Sequence, residues 1–392
     1  MMNNTNVDNS KNEYKSLNLL TLVIPTHNRN YYLSRCLHYH AQYPYGEIIV
    51  ADSSDENKRQ KNESIIQKIS LAYGRKIRHI TYNQKLGKYG NGFFWKWGDG
   101  IQSANTRYSQ ICTDKEFSIP LTQCKCIEFL EENPEFSTCE GEYYYIEKDN
   151  SKKYTKRNMY PTQISLLESD ATKRLNAATK GKNISSNLMG VRKTDIHKSI
   201  YNTLENFGIN DIRFSEFTIE FLTIIWGKTM HIDSPYCYRD ISKLVDNTKF
   251  KKTESSSLQH PYLDSYIKEG IYDSYFERFV NCLAPEISKN SALTLSEAES
   301  FVNTELPKII KMRGFYGNTK FTQDPLWYIW RHAPSFMKNL GGYIIPKKYL
   351  DYKEISTPEE KYITNIIEKT KHLHATDSPI DESILSEEMG LN

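Results

Sequence analysis

Residues 20–29, Leu20-Thr21-Leu22-Val23-Ile24-Pro25-Thr26-His27-Asn28-Arg29, decide the fold. The short, continuous apolar run that they extend, Leu19–Ile24, stops at Pro25 and opens into polar residues, which reads as a buried strand. Working outward, Leu33, Cys36 and Leu37 fall at i, i+3, i+4 and predict a helix. Glu47–Ala51 is a second apolar run, closing at Asp52-Ser53-Ser54. Ile65, Ile66 and Ile69 mark another amphipathic helix, stopped by Gly74. Ile77–Tyr82 gives a third strand, a helix lies around Phe93–Ala104, and Arg107–Thr113 gives a fourth strand. Pro120 then opens a helix with Cys126, Phe129 and Leu130 on one face, ended by Asn133-Pro134. This alternation predicts an α/β fold: a mostly parallel, Rossmann-like sheet with helices on both faces. Ligands of such sheets bind outside the carboxyl ends of the strands. Those ends here are Pro25–Asn28, Asp52–Ser54, Asn83 and Asp114–Glu116, all polar.

Further along, the stretch from Lys148 to about Lys182 is basic and irregular, and apolar structure resumes at Ile184–Val191. A strong helix is expected from about Glu216 to Trp226, stopped at Gly227. The strand-like segments Met230–Asp233 and Tyr236–Arg239 follow. From about residue 241 the alternation ceases and linkers join helical stretches. One of these carries a Thr294-x-x-Glu297 capping box followed by Ala298, Phe301 and Val302, and Pro307 must kink or end that helix. A length of 392 residues suits about two domains. The division read here is a flexible tail over 1–17, an α/β domain over 18–240, and a mainly helical region over 241–392 with a loose acidic tail.

With 51 basic and 48 acidic side chains the net charge is +3, which makes no global case for nucleic acid as a partner. No apolar run approaches the roughly 20 residues needed to span a bilayer. The N-terminus has no apolar signal region, so a cytoplasmic protein is expected. Seven cysteines scattered along a long chain argue for reduced thiols rather than a disulfide scaffold. Cys124 and Cys126, two apart, have the wrong spacing for a zinc pair and read as packing residues. His372-x-His374 reads as part of a solvated tail. The 28 tyrosines read mainly as compositional bias. Trp327, Tyr328, Trp330 and Arg331 read first as core packing, with membrane or glycan contact second. Gly87–Gly92 has the order GxxGxG, which is not the dinucleotide fingerprint, and reads as a turn and helix start.

Asp114-x-Glu116 carries more chemistry. Two carboxylates at i, i+2 on a tight turn can reach one hard divalent cation, Mg²⁺ or Mn²⁺, shared with substrate phosphates. The same residues can instead cap the helix that begins near Pro120, and the spacing leaves both readings open. Asp52 can accept hydrogen bonds from a base or ribose, or close an Asx turn. Glu216 suits either the helix dipole as a first-turn acid or a cleft as a general base.

Taken in order, LTLVIPTHNR, EIIVADSS, Trp95-Lys96-Trp97, ICTDKEF, Phe129–Pro134, SEFTIEFLTIIWGK and Pro235–Arg239 resemble family 2 glycosyltransferases of the GT-A fold. More narrowly, they resemble a bacterial subfamily with VIPTxNR, VADSS and DDDF-like motifs. The resemblance spans about residues 18 to 240. It implies a nucleotide-sugar donor held by Pro25, Thr26, Asn28 and Asp52, with Lys96 at the diphosphate. It places Asp114, Lys115 and Glu116 on the aspartate triplet that holds ribose, metal and diphosphate, with Asp114 and Glu116 as ligands of Mn²⁺ or Mg²⁺. It makes Glu216 the catalytic base and brings Arg239 to phosphate. The implied activity is inverting transfer of a sugar to a hydroxyl of a bacterial surface glycan (capsule, lipopolysaccharide or exopolysaccharide) or its lipid-linked precursor. The region after 240 would shape the acceptor site, form a homodimer, or dock the enzyme at the inner face of the cytoplasmic membrane.

The sequence departs from the pattern at Lys115, where the family has an acid, and at Glu116, where it has Asp. Lys115 can neutralise diphosphate charge and weaken or replace the metal, or point away and leave the ion bound, or mark loss of activity. Two other classes stay open: a non-catalytic nucleotide- or glycan-binding module, and a nucleotidyltransferase on a related sheet. The second would need a glycine-rich phosphate loop after the first strand, and Thr26–Arg29 is poor in glycine.

Overall fold

The structure is a computed structural model that describes residues 13–83, 92–148, 153–161, 163–180, 188–241, 263–312 and 353–376. The expectations drawn for Gly87–Asn91, Trp327–Arg331 and the tail beyond residue 377 fall outside these residues.

Four strands, β1 (Leu20–Thr26), β2 (Glu47–Asp52), β3 (Ile77–Thr81) and β4 (Tyr108–Ile111), pair in parallel in the order β3-β2-β1-β4. Helices α1 (Asn30–His40), α2 (Glu56–Tyr73) and α3 (Trp95–Gln102) connect them. All seven residues of β1 are buried, as a central strand flanked on two sides requires. The order reverses at β1, since β2 and β3 lie to one side and β4 to the other. Right-handed crossovers then put α1 and α2 on one face and α3 on the opposite one. The crevice at the carboxyl ends of β1 and β4 is therefore the topological switch point of a Rossmann-like α/β sheet.

Beyond β4 the sheet becomes mixed. The next elements are β5 (Glu116–Ser118), α4 (Pro120–Glu132), β6 (Phe136–Lys148), β7 (Tyr154–Asn158), α5 (Ala171–Lys180), β8 (Val191–Lys193), α6 (Thr194–Asn206), α7 (Ile212–Ile225) and β9 (Lys228–Asp240). Strand β8 runs antiparallel to β4 and β6, β7 to β6, and β5 to β9, while β6 and β9 are parallel. Parallel pairing therefore characterises the first half and the β6–β9 pair. The other strands are short pieces that pair without the helical crossover a parallel neighbour needs. The segments read separately at Met230–Asp233 and Tyr236–Arg239 form one continuous strand, β9.

Helix α7 begins four residues earlier than the apolar run suggests. Asp211 is its N-cap, and its carboxylate accepts from Arg213 N and Phe214 N at 2.9 Å each. Glu216 accordingly lies in the second turn, where the end of the helix dipole no longer accounts for an acid. Every residue of α7 except Glu216 is buried.

The C-terminal half adds α8 (Leu263–Lys268), α9 (Tyr272–Lys289), α10 (Leu295–Thr304), α11 (Leu306–Met312), β10 (Lys353–Glu354) and α12 (Pro358–Thr376). The Thr294 capping box forms, and Pro307 sits in the first turn of α11, just past the break that ends α10. The buried cluster runs across residue 240: Phe279 of α9 meets Phe214 and Phe221 of α7 at centroid distances of 5.6 and 5.9 Å. A smaller cluster sets Ile363, Ile366 and Ile367 of α12 against Tyr39, Phe117, Tyr144 and Tyr238. Among the described residues, no helix is long and apolar enough to cross a membrane.

Candidate active site

At the switch point the end of β1 is tied directly to the turn after β4. Thr26 Oγ1 donates to Asp114 Oδ2 at 2.8 Å, and Arg29 Nη1 reaches Asp114 Oδ1 at 3.3 Å. Lys96, on the first turn of α3, extends beneath them. Its Nζ donates to Thr26 O and to Ser53 Oγ, each at 2.8 Å. Two of the three ammonium N–H groups are thus spent on the ends of β1 and β2. Burial pulls the Lys96 ammonium down to about 8, against the opposing charges of Asp114 and Asp52.

Pro25 stays within β1, opposite Ala51 of β2. Asn28 takes a left-handed conformation with φ 55°, which asparagine tolerates better than other side chains with a Cβ. It locks the two strand ends together: Asn28 N donates to Ser54 Oγ, and its amide exchanges two hydrogen bonds with Asp55 at 2.8 and 2.9 Å. Asp52 is buried and turned inward. Its carboxylate accepts from Ser54 N at 2.8 Å, an Asx turn, from Asn62 Nδ2 at 2.8 Å, and is paired with His79 Nε2 at 3.1 Å. Burial works to raise this carboxyl, but the bonds from His79, Ser54 and Asn62 outweigh it and hold the group down at about 2. As placed, Asp52 braces the Ser53–Ser54 turn that receives Lys96.

The turn from Asp114 to Glu116 splits three ways. Lys115 lies with its Nζ 4.6 Å from the centroid of Tyr32, on the side of α1. Burial and then the neighbouring Arg29 lower its ammonium, opposed by Asp114. Glu116 points the other way and is buried. Its Oε1 accepts from Arg239 Nε at 2.8 Å and from Arg239 Nη2, while Oε2 accepts from Thr113 N at 2.9 Å. Burial pushes the Glu116 carboxyl up, against the pull of Arg239.

This donor set does not fit a divalent ion shared by Asp114 and Glu116. Both Glu116 oxygens are engaged, Oε1 by two N–H groups of one guanidinium in a charge-assisted pair and Oε2 by the Thr113 amide. To ligate an ion Glu116 would have to leave Arg239. What the turn offers instead is side-chain cations: Arg29, Lys96 and Lys115 close to Asp114, and Arg239 on Glu116.

Glu216 is held by Arg213, Nη1 to Oε2 at 3.1 Å, and its side chain is 17% exposed. Tyr160 feels the charges of both Arg239 and Glu216. Burial raises its hydroxyl above the usual range, and the charges that act on it are those of Arg239, Glu220 and Glu216. The residues expected at the site therefore fall into a first group and two separate pairs. Thr26, Lys96, Asp114 and Lys115, braced by Asn28 and Asp52, make the first. Glu116 paired with Arg239 makes a second, and Glu216 stands on α7 paired with Arg213. Sequence reasoning did not select Ser53, Asn62, His79 or Tyr160 for these places. It also passed over Asp211, although an aspartate just before an apolar helix is a cap signal.

No protein-family model matches the chain, and no curated protein matches it. Among solved structures, S. aureus TarS 1–349 in complex with UDP-GlcNAc is similar at 12% identity and a TM-score of 0.46, over 92% of each chain. The same fragment in complex with UDP is 13% identical with a TM-score of 0.44, again over 92% of each chain. The mannosyltransferase PcManGT from Pyrobaculum calidifontis, in complex with GDP-Man and Mn²⁺, is 10% identical with a TM-score of 0.36, covering 90% of this chain and 86% of its own. Likenesses of this order assign no residue.

Proposed function

We propose that the chain is an inverting, nucleotide-sugar-dependent glycosyltransferase. The observation that carries this reading is the switch-point crevice, where buried Lys96 is fixed between the ends of β1 and β2, with Arg29 and Lys115 beside Asp114. Preorganised cations at the carboxyl ends of parallel strands suit a diphosphate, and they stabilise the charge that develops as it leaves. The ordered motifs described above point to the same donor class. In the reaction, Glu216 takes the proton from an acceptor hydroxyl. The hydroxyl oxygen bonds to the anomeric carbon in line as the bond to the nucleoside diphosphate breaks. The leaving diphosphate is neutralised by Lys96, Arg29 and Lys115. The acceptor proposed is a bacterial surface glycan or its lipid-linked precursor.

Because the acids of the turn are already paired, donor binding is proposed to be independent of Mn²⁺ or Mg²⁺. One nucleoside diphosphate is expected to raise the thermal midpoint, by the equivalent of about 2.7 kcal/mol at a hundredfold excess over Kd. EDTA should leave that gain unchanged. Lack of stabilisation by any nucleoside diphosphate would remove the donor site, and loss of the gain with EDTA would restore the ion.

A pH dependence follows from Lys96. A Lys ammonium lowered to about 8 is mostly charged at pH 7 and mostly neutral at pH 9. Nucleoside diphosphate affinity should therefore fall as pH rises through about 8, by up to about tenfold between pH 7 and 9. Calorimetric titration of Lys96→Met should give a weaker, flat profile. An equally steep profile in the variant would assign the effect elsewhere.

A second reading, a nucleotide-binding module without turnover, is favoured by the Arg213–Glu216 pair, which competes for the base. Assay of sugar transfer separates the two, since both bind nucleotide.

A further inference from the structure

Close to the turn, Cys36, His40 and Cys112 form a fully buried group whose ligand atoms all lie within 4.8 Å of one another. Cys36 and His40 stand at i and i+4 on one face of α1, and Cys112 directly follows β4. We infer that these three side chains, with the backbone carbonyl of Glu116, form a tetrahedral site for a borderline-soft divalent metal of the Zn²⁺ type.

Three observations carry this. The first is spacing. Cys112 Sγ is 3.6 Å from His40 Nε2, and Cys112 Sγ and Cys36 Sγ are each 3.6 Å from Glu116 O. A tetrahedron with Zn–S near 2.3 Å and Zn–N or Zn–O near 2.0–2.1 Å has S···N and S···O edges of about 3.6 Å. The second is the histidine tautomer. Tyr45 OH donates its single proton to Gln123 Oε1 at 2.6 Å, so its oxygen can only accept from His40 Nδ1, 3.1 Å away. Nδ1 then carries the proton of the neutral ring, and the Nε2 lone pair faces Cys112. A metal-bound histidine needs this arrangement, with its second nitrogen fixed by an outer partner.

The third is a buried chain of hydrogen bonds with one polarity. Beyond Tyr45 and Gln123, Gln123 Nε2 donates to Gln110 Oε1 at 2.6 Å, Gln110 Nε2 to Ser118 Oγ at 2.9 Å, and Ser118 Oγ to Cys112 Sγ at 3.5 Å. The chain leaves the histidine as a donor and returns to the sulfur as a donor. It leaves the imidazole neutral with its Nε2 lone pair toward Cys112 and brings a donor to the sulfur, an arrangement in which a coordinated thiolate would be accommodated. Two thiolates and a divalent cation are neutral overall, so burial imposes no net-charge penalty. With Glu116 O as the fourth ligand, the metal would pin β5, and with it the turn that bears Asp114 and Lys115, to α1.

This inference is independent of the proposed reaction, because its test reads metal rather than turnover. The full chain is unfolded under reducing conditions and refolded with one equivalent of Co²⁺. The expected result is a near-ultraviolet thiolate-to-cobalt band and strong visible bands of tetrahedral cobalt, at one equivalent per chain. Both should be lost in Cys36→Ser/Cys112→Ser and kept in Cys282→Ser, which alters a buried cysteine on α9. Absence of the bands in the wild type, or their persistence in the double variant, would overturn the site. Should the double variant not fold, X-ray absorption of the zinc-refolded wild type decides. Two sulfurs near 2.3 Å with two nitrogen or oxygen ligands support the site, whereas a shell without sulfur or with four sulfurs refutes it.

Discussion

Glu216→Gln is expected to lower sugar transfer by roughly 10²–10⁴-fold, the range that a positioned general base contributes. Nucleoside diphosphate affinity should stay within about twofold, because the change lies outside the cations assigned to the diphosphate. Residues 212–225 are buried nearly all round, as in a helix packed on every face. Glu216 is the single residue of that helix left partly open, in the second turn, where dipole compensation gives no reason for an acid. Its neighbours Arg213 and Tyr160 are polar, and Tyr160 also feels the charge of Arg239. Glutamine keeps the size and the acceptor for Arg213 but cannot take a proton. A loss confined to kcat, with KM and donor binding unmoved, is the signature of an interaction made only in the transition state. Turnover within about threefold of wild type would instead show that another group takes the proton, or that the proton leaves directly to water.

The sequence reading and the structure agree where a local pattern sets the answer. The apolar runs at 19–24 and 47–51 give β1 and β2 within a residue or two, because strands buried on both faces leave an unbroken apolar signal, and the alternating stretch 77–82 gives β3, the partly buried strand at the end of the order. The later strands were harder to read. β8 has three residues and β7 reads Tyr-Thr-Lys-Arg-Asn, neither of which carries a period long enough to recognise. At the site, residue types at strand ends were legible, whereas their partners were not. Nothing local in the chain says that Asp52 meets His79 or that Glu116 meets Arg239. Each of those pairs is made by strand register, β2 against β3 and β5 against β9, which is a tertiary fact. The same holds for Cys36 and Cys112, which a spacing search for metal ligands does not join. The boundary near residue 240 was drawn where alternation stops, yet Phe279 and Leu283 belong to the same buried cluster as Phe214 and Phe221. A change of secondary-structure pattern is not in itself a break in packing.

Arg35→Ala is expected to cost about 3–5 kcal/mol of stability, the penalty for removing one partner of a buried ion pair. Arg35 Nη1 donates to Asp240 Oδ2 at 2.7 Å, with both side chains buried. The rest of the guanidinium is held by rings rather than by acceptors. Its Cζ lies 4.5 Å from the centroid of Tyr32, 5.2 Å from Tyr31 and 5.5 Å from Phe117. The alanine variant loses the pair and those contacts together and leaves the Asp240 carboxylate in the low-dielectric interior. The damage should reach the site, because Asp240 N donates to Lys115 O at 3.2 Å and Asp240 follows Arg239 on β9. A double variant, Arg35→Ala with Asp240→Leu, closes a cycle with the two single variants and discriminates between explanations. If the penalty is mainly the loss of Arg35 as counter-charge to Asp240, replacing both partners with apolar groups should recover most of the stability, giving a coupling energy of roughly 2–3 kcal/mol in the cycle. If the penalty is mainly the lost stacking on Tyr31, Tyr32 and Phe117, the double variant should be no more stable than the single. Denaturant titration of the four proteins reads the result. Little or no loss in Arg35→Ala would mean that the rings and Asp240 relax around the gap, and that the pair does not hold β9 to α1.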